Sequence, residues 1–253
     1  MLKEIIIAIQ SYGDAHRFIV KHKLWQWILI PGLIYSVMFF TGMYFFGKSV
    51  NAAIEYLLLT TGAGEWVKSH AHGLFKILFS ITYFAIWLVL MLLFFSLFKY
   101  LFLIIGSPVF AYLSEKTEAI IEGKEFPFSF KQLLHDIARG IRIALRNALW
   151  QTVYTISIFI LSLIPVVGLF STFLAILIES YYFGFSMLDY SCERNKLSTS
   201  QSIAFIGRHK GLAIGNGLVF YLMHLVVFVG WILAPSYSVI AATLSLIKTK
   251  EKL

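Results

Sequence analysis

Four apolar regions separated by charged segments set the pattern of this chain. From Leu24 to Phe46 there is no charged residue, and Trp25 and Trp27 stand at the start of the run. Leu74–Phe98 repeats the pattern with only Lys76 inside it, and its apolar character continues through Leu101–Ile105 to Gly106-Ser107-Pro108. Each run is long enough to cross a hydrocarbon core of about 30 Å as a helix. Pro31 lies near the start of the first run, where a helix tolerates proline best. The pattern therefore predicts spanning helices over residues 24–47 and 74–105. The third region, 152–190, is interrupted by Pro165-Val166-Val167-Gly168, and the fourth, 212–247, by Ala234-Pro235-Ser236. The arm before the first break provides about 20 Å of helix at about 1.5 Å per residue, and the arm after the second is shorter still. Both fall short of a full crossing. These regions read as broken, re-entrant helical hairpins, whose irregular backbone must be buried in protein or line a polar cavity.

Between these regions the period changes. In residues 1–23, Leu2, Ile5, Ile6, Ile9 and Phe18 alternate with Lys3, Glu4, Asp14 and Arg17, which predicts an amphipathic helix on the membrane surface up to the Lys21-His22-Lys23 boundary. Residues 106–150 predict water-exposed helices on the cytoplasmic side. Leu113, Ile120 and Ile121 alternate with Glu115, Lys116, Glu118 and Glu122, and after Gly123 and Pro127 a second apolar stripe runs from Leu133 to Leu149. Arg139, Arg142 and Arg146 flank that stripe and read as lipid-facing basic residues. The expected fold is an all-α integral membrane protein forming one polytopic domain over 1–253: two long transmembrane helices, two re-entrant hairpins and amphipathic surface helices.

Composition sharpens this picture. Apolar residues make up 59% of the 253 and charged residues 13%, against about 45–50% and 25% in soluble domains. The net charge of +8 does not indicate nucleic acid, because the basic residues sit beside the apolar runs rather than on one soluble face. They set topology instead. Lys3, Arg17, Lys21 and Lys23 precede the first span, Arg194, Lys196, Arg208 and Lys210 separate the hairpins, and Lys248, Lys250 and Lys252 end the chain, whereas the 47–73 connection holds only Lys48 and Lys68. The positive-inside rule puts that connection alone outside, which makes a multi-pass inner-membrane protein whose hairpins start and finish in the cytoplasm. Cys192 is a lone cysteine, so no internal disulfide or cysteine metal cluster can form. His70-Ala-His72 reads as a solvated loop, and no metal or cofactor is expected. Phosphate loops, zinc-protease, nucleophile-elbow and dinucleotide motifs are absent, so no catalytic residue is assigned and an enzyme is not expected.

Three local patterns carry a resemblance. They are Ser107-Pro108 leading into Ser114-Glu115-Lys116 and Gly123, the Ile164-Pro165-Val166-Val167-Gly168 break, and Asp189-Tyr190 followed by Arg194, Leu197-Ser198, Arg208-His209-Lys210-Gly211 and Gly215. In order and spacing the chain resembles the family of the CysZ-type sulfate transporters and the etoposide-induced membrane proteins, from about Pro31 to the end. That resemblance implies two long spans with two partial hairpins, transport of a small inorganic anion, sulfate by default, and structural roles for Ser107, Pro108, Pro165, Gly168, Asp189, Tyr190, Arg194 and Arg208. The bacterial branch carries a Gly-Leu-Arg pattern before the first proline, implicated in binding sulfate. Here Trp25 and Gln26 stand where its arginines are expected.

For a substrate path, half-helices starting at Gly168, with Ser171 and Thr172, and at Ser236, with Ser238, would turn their positive N-terminal ends toward the membrane interior, where anions bind. The plainer reading is that the breaks only turn the hairpins. Glu179 and His224, deep in apolar arms, would couple transport to protons or simply hydrogen-bond across helices. Asp189 would pair with Arg194 or Arg208 at the hairpin base. The expected partners are membrane lipid, a small anion and further copies of the chain; the alternative function is a non-transporting scaffold that binds lipid or a partner protein.

Overall fold

The computed structural model describes residues 1–62, 65–66, 69, 73–123, 130–162, 167–226 and 228–250. Among them it contains eight helices in the order α1 Leu2–His22, α2 Trp25–Thr60, α3 Leu74–Glu122, α4 Phe130–Ser162, α5 Val167–Arg194, α6 Thr199–Arg208, α7 Lys210–His224 and α8 Val229–Lys250. The described residues contain no strand. By length and composition, Trp25–Thr60 and Val229–Thr249 suffice to cross a membrane. Pro165, Pro127 and the His70–His72 pair lie outside the described residues, as does the Thr172 side chain.

The boundaries follow local rules. α1 ends at His22 because Lys23 turns left-handed (φ 54°) and its N–H closes back onto Ile19 and Val20. Gly123, at φ 65°, ends α3. α6 begins with a capping box: Ser198 Oγ accepts from the Gln201 N–H, and the Gln201 side chain accepts from the Ser198 N–H at 2.8 Å.

Two units divide the chain, Met1–Ser36 with Phe102–Leu253, and Val37–Leu101. In the smaller unit α2 and α3 meet through aromatic rings. Phe39 lies 5.2 Å from Phe98 and Phe46 lies 4.6 Å from Phe94, centroid to centroid, while Gly42 leaves room for the Phe94 ring.

The larger unit is built around α5. From Tyr182 to Cys192 every residue of α5 is buried, and α4, α7 and α8 pack around it. α5 and α7 touch backbone to backbone: a Cβ on Gly217 would stand 1.9 Å from the Ser180 carbonyl oxygen, and one on Gly184 2.0 Å from that of Ala213. α1 lays Ala8, Ser11, Tyr12, Ala15 and Ile19 onto α7 and α8. Its larger apolar residues Leu2, Ile6 and Ile9 stay exposed. Three hydroxyls join α3, α5 and α8: Ser114, Ser191 and Thr243 lie 2.9–3.2 Å apart. Asn216 of α7 donates to the Ser238 carbonyl (2.9 Å) and accepts from its hydroxyl (2.7 Å).

Helix continuity differs from the sequence expectation in four places, the first being α2, which runs on past the expected end at 47 to Thr60. α3 runs unbroken through Pro108, whose missing N–H leaves the carbonyl of Ile104 without its helical donor. The Ser107 hydroxyl supplies that bond at 2.8 Å, so the Ser-Pro pair continues the helix rather than ending it. α4 is one helix from Phe130 to Ser162, joining the stretch expected at the surface to the first hairpin arm. The fourth region turns between the end of α7 at His224 and the start of α8 at Val229, not at Ala234–Ser236; Pro235, Ser236 and Ser238 lie inside α8, whose 22 residues exceed the short arm expected. Three contacts fix that turn. Phe228 is left-handed (φ 64°), Gly230 sits so close to Met223 that a Cβ would come within 1.8 Å of its carbonyl oxygen, and the Trp231 indole donates to the His224 carbonyl at 3.1 Å.

Gly217→Ala should lower the melting temperature of the detergent-solubilised protein, the clash with fixed backbone costing at least the about 1–3 kcal/mol typical of overpacking. Gly13→Ala, with nothing within 4 Å of its added Cβ, should leave it unchanged or raise it slightly. Size-exclusion recovery after a temperature series reads both.

Candidate functional site

Charged residues concentrate where the C-terminal end of α5 meets α4 and the α5–α6 connection. Asp189, buried on α5, faces Arg139 of α4, which is only 7% exposed. Arg139 Nη2 donates to Asp189 Oδ1 at 2.8 Å and Nε to Oδ2 at 3.2 Å, a two-point pairing that matches the guanidinium fork to the carboxylate. Arg139 Nη1 also donates to the Leu197 carbonyl, and Ser202 of α6 donates to Asp189. Burial works against a charged Arg139, but Asp189 and then Glu193 outweigh it and hold the guanidinium more firmly protonated than usual. The pair ties α4, α5, α6 and the loop between the last two.

One turn beyond Asp189 a second group forms. Glu193 Oε1 lies 3.3 Å from His135 Nδ1 and 3.8 Å from Arg139 Nε, and the Asp136 carboxyl lies against it. Burial, reinforced by Asp136, pushes Glu193 up to about 8, Arg139 pulling the other way. Burial also raises Asp136, against the hydrogen bond that Gln132 donates to its Oδ1 at 2.7 Å. Gln132, His135, Arg139, Arg142, Glu193 and Lys196 help to line a cavity of about 640 Å³ at this end. On the other side of α5, Arg194 pairs with Glu115 and lies 3.6 Å from Glu118 of α3; burial brings it down to about 10.

Further along the helices the polar side chains find partners across them. Glu179 of α5 accepts from Gln151 of α4 and from the Tyr221 hydroxyl of α7 at 2.7 Å. His224 Nε2 and the Tyr35 hydroxyl are 3.1 Å apart. Asn147 donates to Ser186 at 3.1 Å, and the Arg146 guanidinium lies 5.2 Å from the centre of the Phe185 ring.

The residues singled out from sequence separate accordingly. Asp189 pairs with Arg139, not with Arg194 or Arg208; Arg194 turns to α3, and Arg208 is exposed. Arg139 is not lipid-facing, because the helix face it shares with Asp136 and Ile143 is the one pressed against α5. Arg142 is exposed and Arg146 half-buried. Ser107 is buried where Gly140 of α4 comes close, and Tyr190 donates to the Leu103 carbonyl at 3.4 Å. α5 begins at Val167, with Gly168 and Ser171 in its first turns. Ser236 is no helix start; it and Ser238 are buried within α8, Ser238 engaged by Asn216. Asp136, Glu193, Gln151 and Tyr221 were not anticipated. Asp136 and Arg139, three apart on one helix face, were the available signal, but it was masked by the regular spacing of Arg139, Arg142 and Arg146.

Comparison with known proteins places these features in context. The chain matches the family described as Sulfate transporter CysZ/Etoposide-induced protein 2.4 over residues 11–235. A protein named Sulfate transporter CysZ from Pseudomonas fluorescens strain Pf-5 is 32% identical over 143 residues, 56% of this chain and 57% of that protein. One of the same name from Pseudomonas aeruginosa strain LESB58 is 26% identical over 242 residues, 93% of this chain and 92% of its own. Another, from Pseudomonas fluorescens strain Pf0-1, is 25% identical over 237 residues, 93% and 90% of the two chains.

Arg139→Met should destabilise the protein by about 3–5 kcal/mol, since it strands the buried Asp189 carboxylate. Arg208→Gln, at an exposed position, should stay within about 0.5 kcal/mol of the wild type. Thermal unfolding in detergent distinguishes the two.

Proposed function

We propose that this chain, which belongs to the Sulfate transporter CysZ/Etoposide-induced protein 2.4 family, moves sulfate across the inner membrane as a multi-pass protein. The observation that carries this reading is the extent of the match: residues 11–235 run from the second half of α1 through α7 into the first turns of α8. Relatives named sulfate transporters align over nine-tenths of the chain. The apolar composition and the two helices of membrane-crossing length agree with a membrane protein. The bias of lysine and arginine supports a topology with the 47–73 segment outside and the charged ends of α4, α5 and α6 in the cytoplasm.

The departure at Trp25 and Gln26 has a physical counterpart. Both residues are exposed at the start of α2, the positive end of that helix. The missing cation is offered from α3: Lys116 Nζ lies 5.1 Å from the Trp27 ring centre and 3.2 Å from the Tyr112 hydroxyl. An oxyanion arriving at this end meets an ammonium, a helix terminus and two indoles. The seam between α5 and α7 leaves no room for an ion, because their backbones touch at Gly184 and Gly217. Passage therefore runs along another face, in a homo-oligomer. α4 offers the candidate face for contact between copies, exposing Leu145, Leu149, Val153, Ile156 and Ile160 along one side. Glu179 and His224, held by Tyr221 and Tyr35, act as interhelical ties rather than a proton relay.

Radiolabelled sulfate uptake into proteoliposomes tests the reading. Saturable uptake, competed by other tetrahedral oxyanions, is expected, and Lys116→Gln should raise the half-saturating sulfate concentration several-fold without loss of folded protein. Absence of uptake by well-folded wild type would overturn sulfate transport and favour a scaffold that binds lipid or a partner.

A further inference from the structure

The group formed by His135, Asp136 and Glu193 has more acceptors than the protein supplies donors for. One ligand atom from each lies within 4.8 Å of the others. His135 Nδ1 is 3.3 Å from Glu193 Oε1 and 3.9 Å from Asp136 Oδ1. These are close to the spacings of atoms that share one small cation at about 2.0–2.2 Å from each. The Glu193 side chain is only 7% exposed, yet its buried Oε1 accepts no hydrogen bond among the described residues. Charge points the same way. Asp136, Asp189 and Glu193 face a single buried guanidinium, Arg139, and that one is already paired with Asp189. Asp136 and Glu193 thus bring two carboxyl groups to one imidazole, while the buried guanidinium beside them is taken up by Asp189. The nearby Arg142 and Lys196 do not relieve it, since both are exposed to water.

We propose that His135 Nδ1, Asp136 Oδ1 and Glu193 Oε1 form a binding site for one divalent cation of the zinc type, joining α4 to the C-terminal end of α5. One imidazole with two carboxylates is a donor set that suits zinc and its first-row neighbours rather than magnesium or calcium, which take oxygen alone. His135, 68% exposed at its side chain, stands on the water side and gives the ion its way in from the cavity. A fourth coordination position faces that cavity and takes water. The ion would brace α4 against α5 beside the Arg139–Asp189 pair.

The test is calorimetric titration of the purified full-length chain in detergent, stripped with chelator, using zinc chloride alone, and cobalt chloride followed by visible absorption. The expected result is one equivalent bound by wild type, with affinity at least ten-fold weaker in both His135→Ala and Glu193→Gln and the tetrahedral cobalt band lost. Because Glu193 is buried, its variant is read only if it elutes as folded protein. His135→Ala, at an exposed position, decides alone otherwise. Titration curves for His135→Ala that superimpose on wild type would place any binding at other histidines and overturn the site, and so would the absence of a one-equivalent transition in wild type.

Discussion

The close approach of α5 to α7 governs the larger unit. With glycine at 184 and 217, each backbone meets a carbonyl of the other helix where a single methyl group would not fit. In a hydrocarbon environment there is little hydrophobic drive to press one apolar helix on another, so contact of this kind, through van der Waals packing of small residues, has to hold the bundle. Everything else is placed by it. α1 reaches α7 through the glycines at 211 and 215, and α2 reaches α8 at Gly32, against Ile232. The hydroxyl group of Ser114, Ser191 and Thr243 closes the far side of α5.

Many polar groups inside this packing are committed to a neighbouring helix, which limits what they can do. Asp189, Glu179, Asn216 and His224 each bond to a different helix from their own. Buried polar groups that find such partners fix the register of neighbouring helices; left unpaired, they would cost more than the bundle can spare. The group at Glu193 stands apart because it has acceptors in excess. It also lies beside a cavity rather than within the packed interior.

This division bears on transport. Under the transport reading proposed above, an anion passes at a surface where side chains set the spacing, since α5 and α7 are closed on each other at Gly184 and Gly217. The start of α2, with Lys116 beside Trp27, is a surface of that kind. On that reading a lysine offers an anion a positive charge without the two-point geometry of a guanidinium.

The sequence by itself determined the all-helical class, the membrane character and the family, because these depend on run length and on motif order, and local residues such as Lys23 and Gly123 mark where helices stop. Helix continuity was beyond it. Ser107-Pro108 and Pro235 look like breaks, yet one is repaired by a neighbouring hydroxyl and the other is absorbed inside a packed helix. The true turn, between the end of α7 and the start of α8, is apolar and marked only by Gly230. Partnership was equally hidden. Arg139 has the same local spacing as Arg142 and Arg146, and only the docking of α4 on α5 decides that it is buried against Asp189 while Arg142 meets water. Periodicity records which residues share a helix face; which face meets another helix, and what waits there, is a property of the assembled fold.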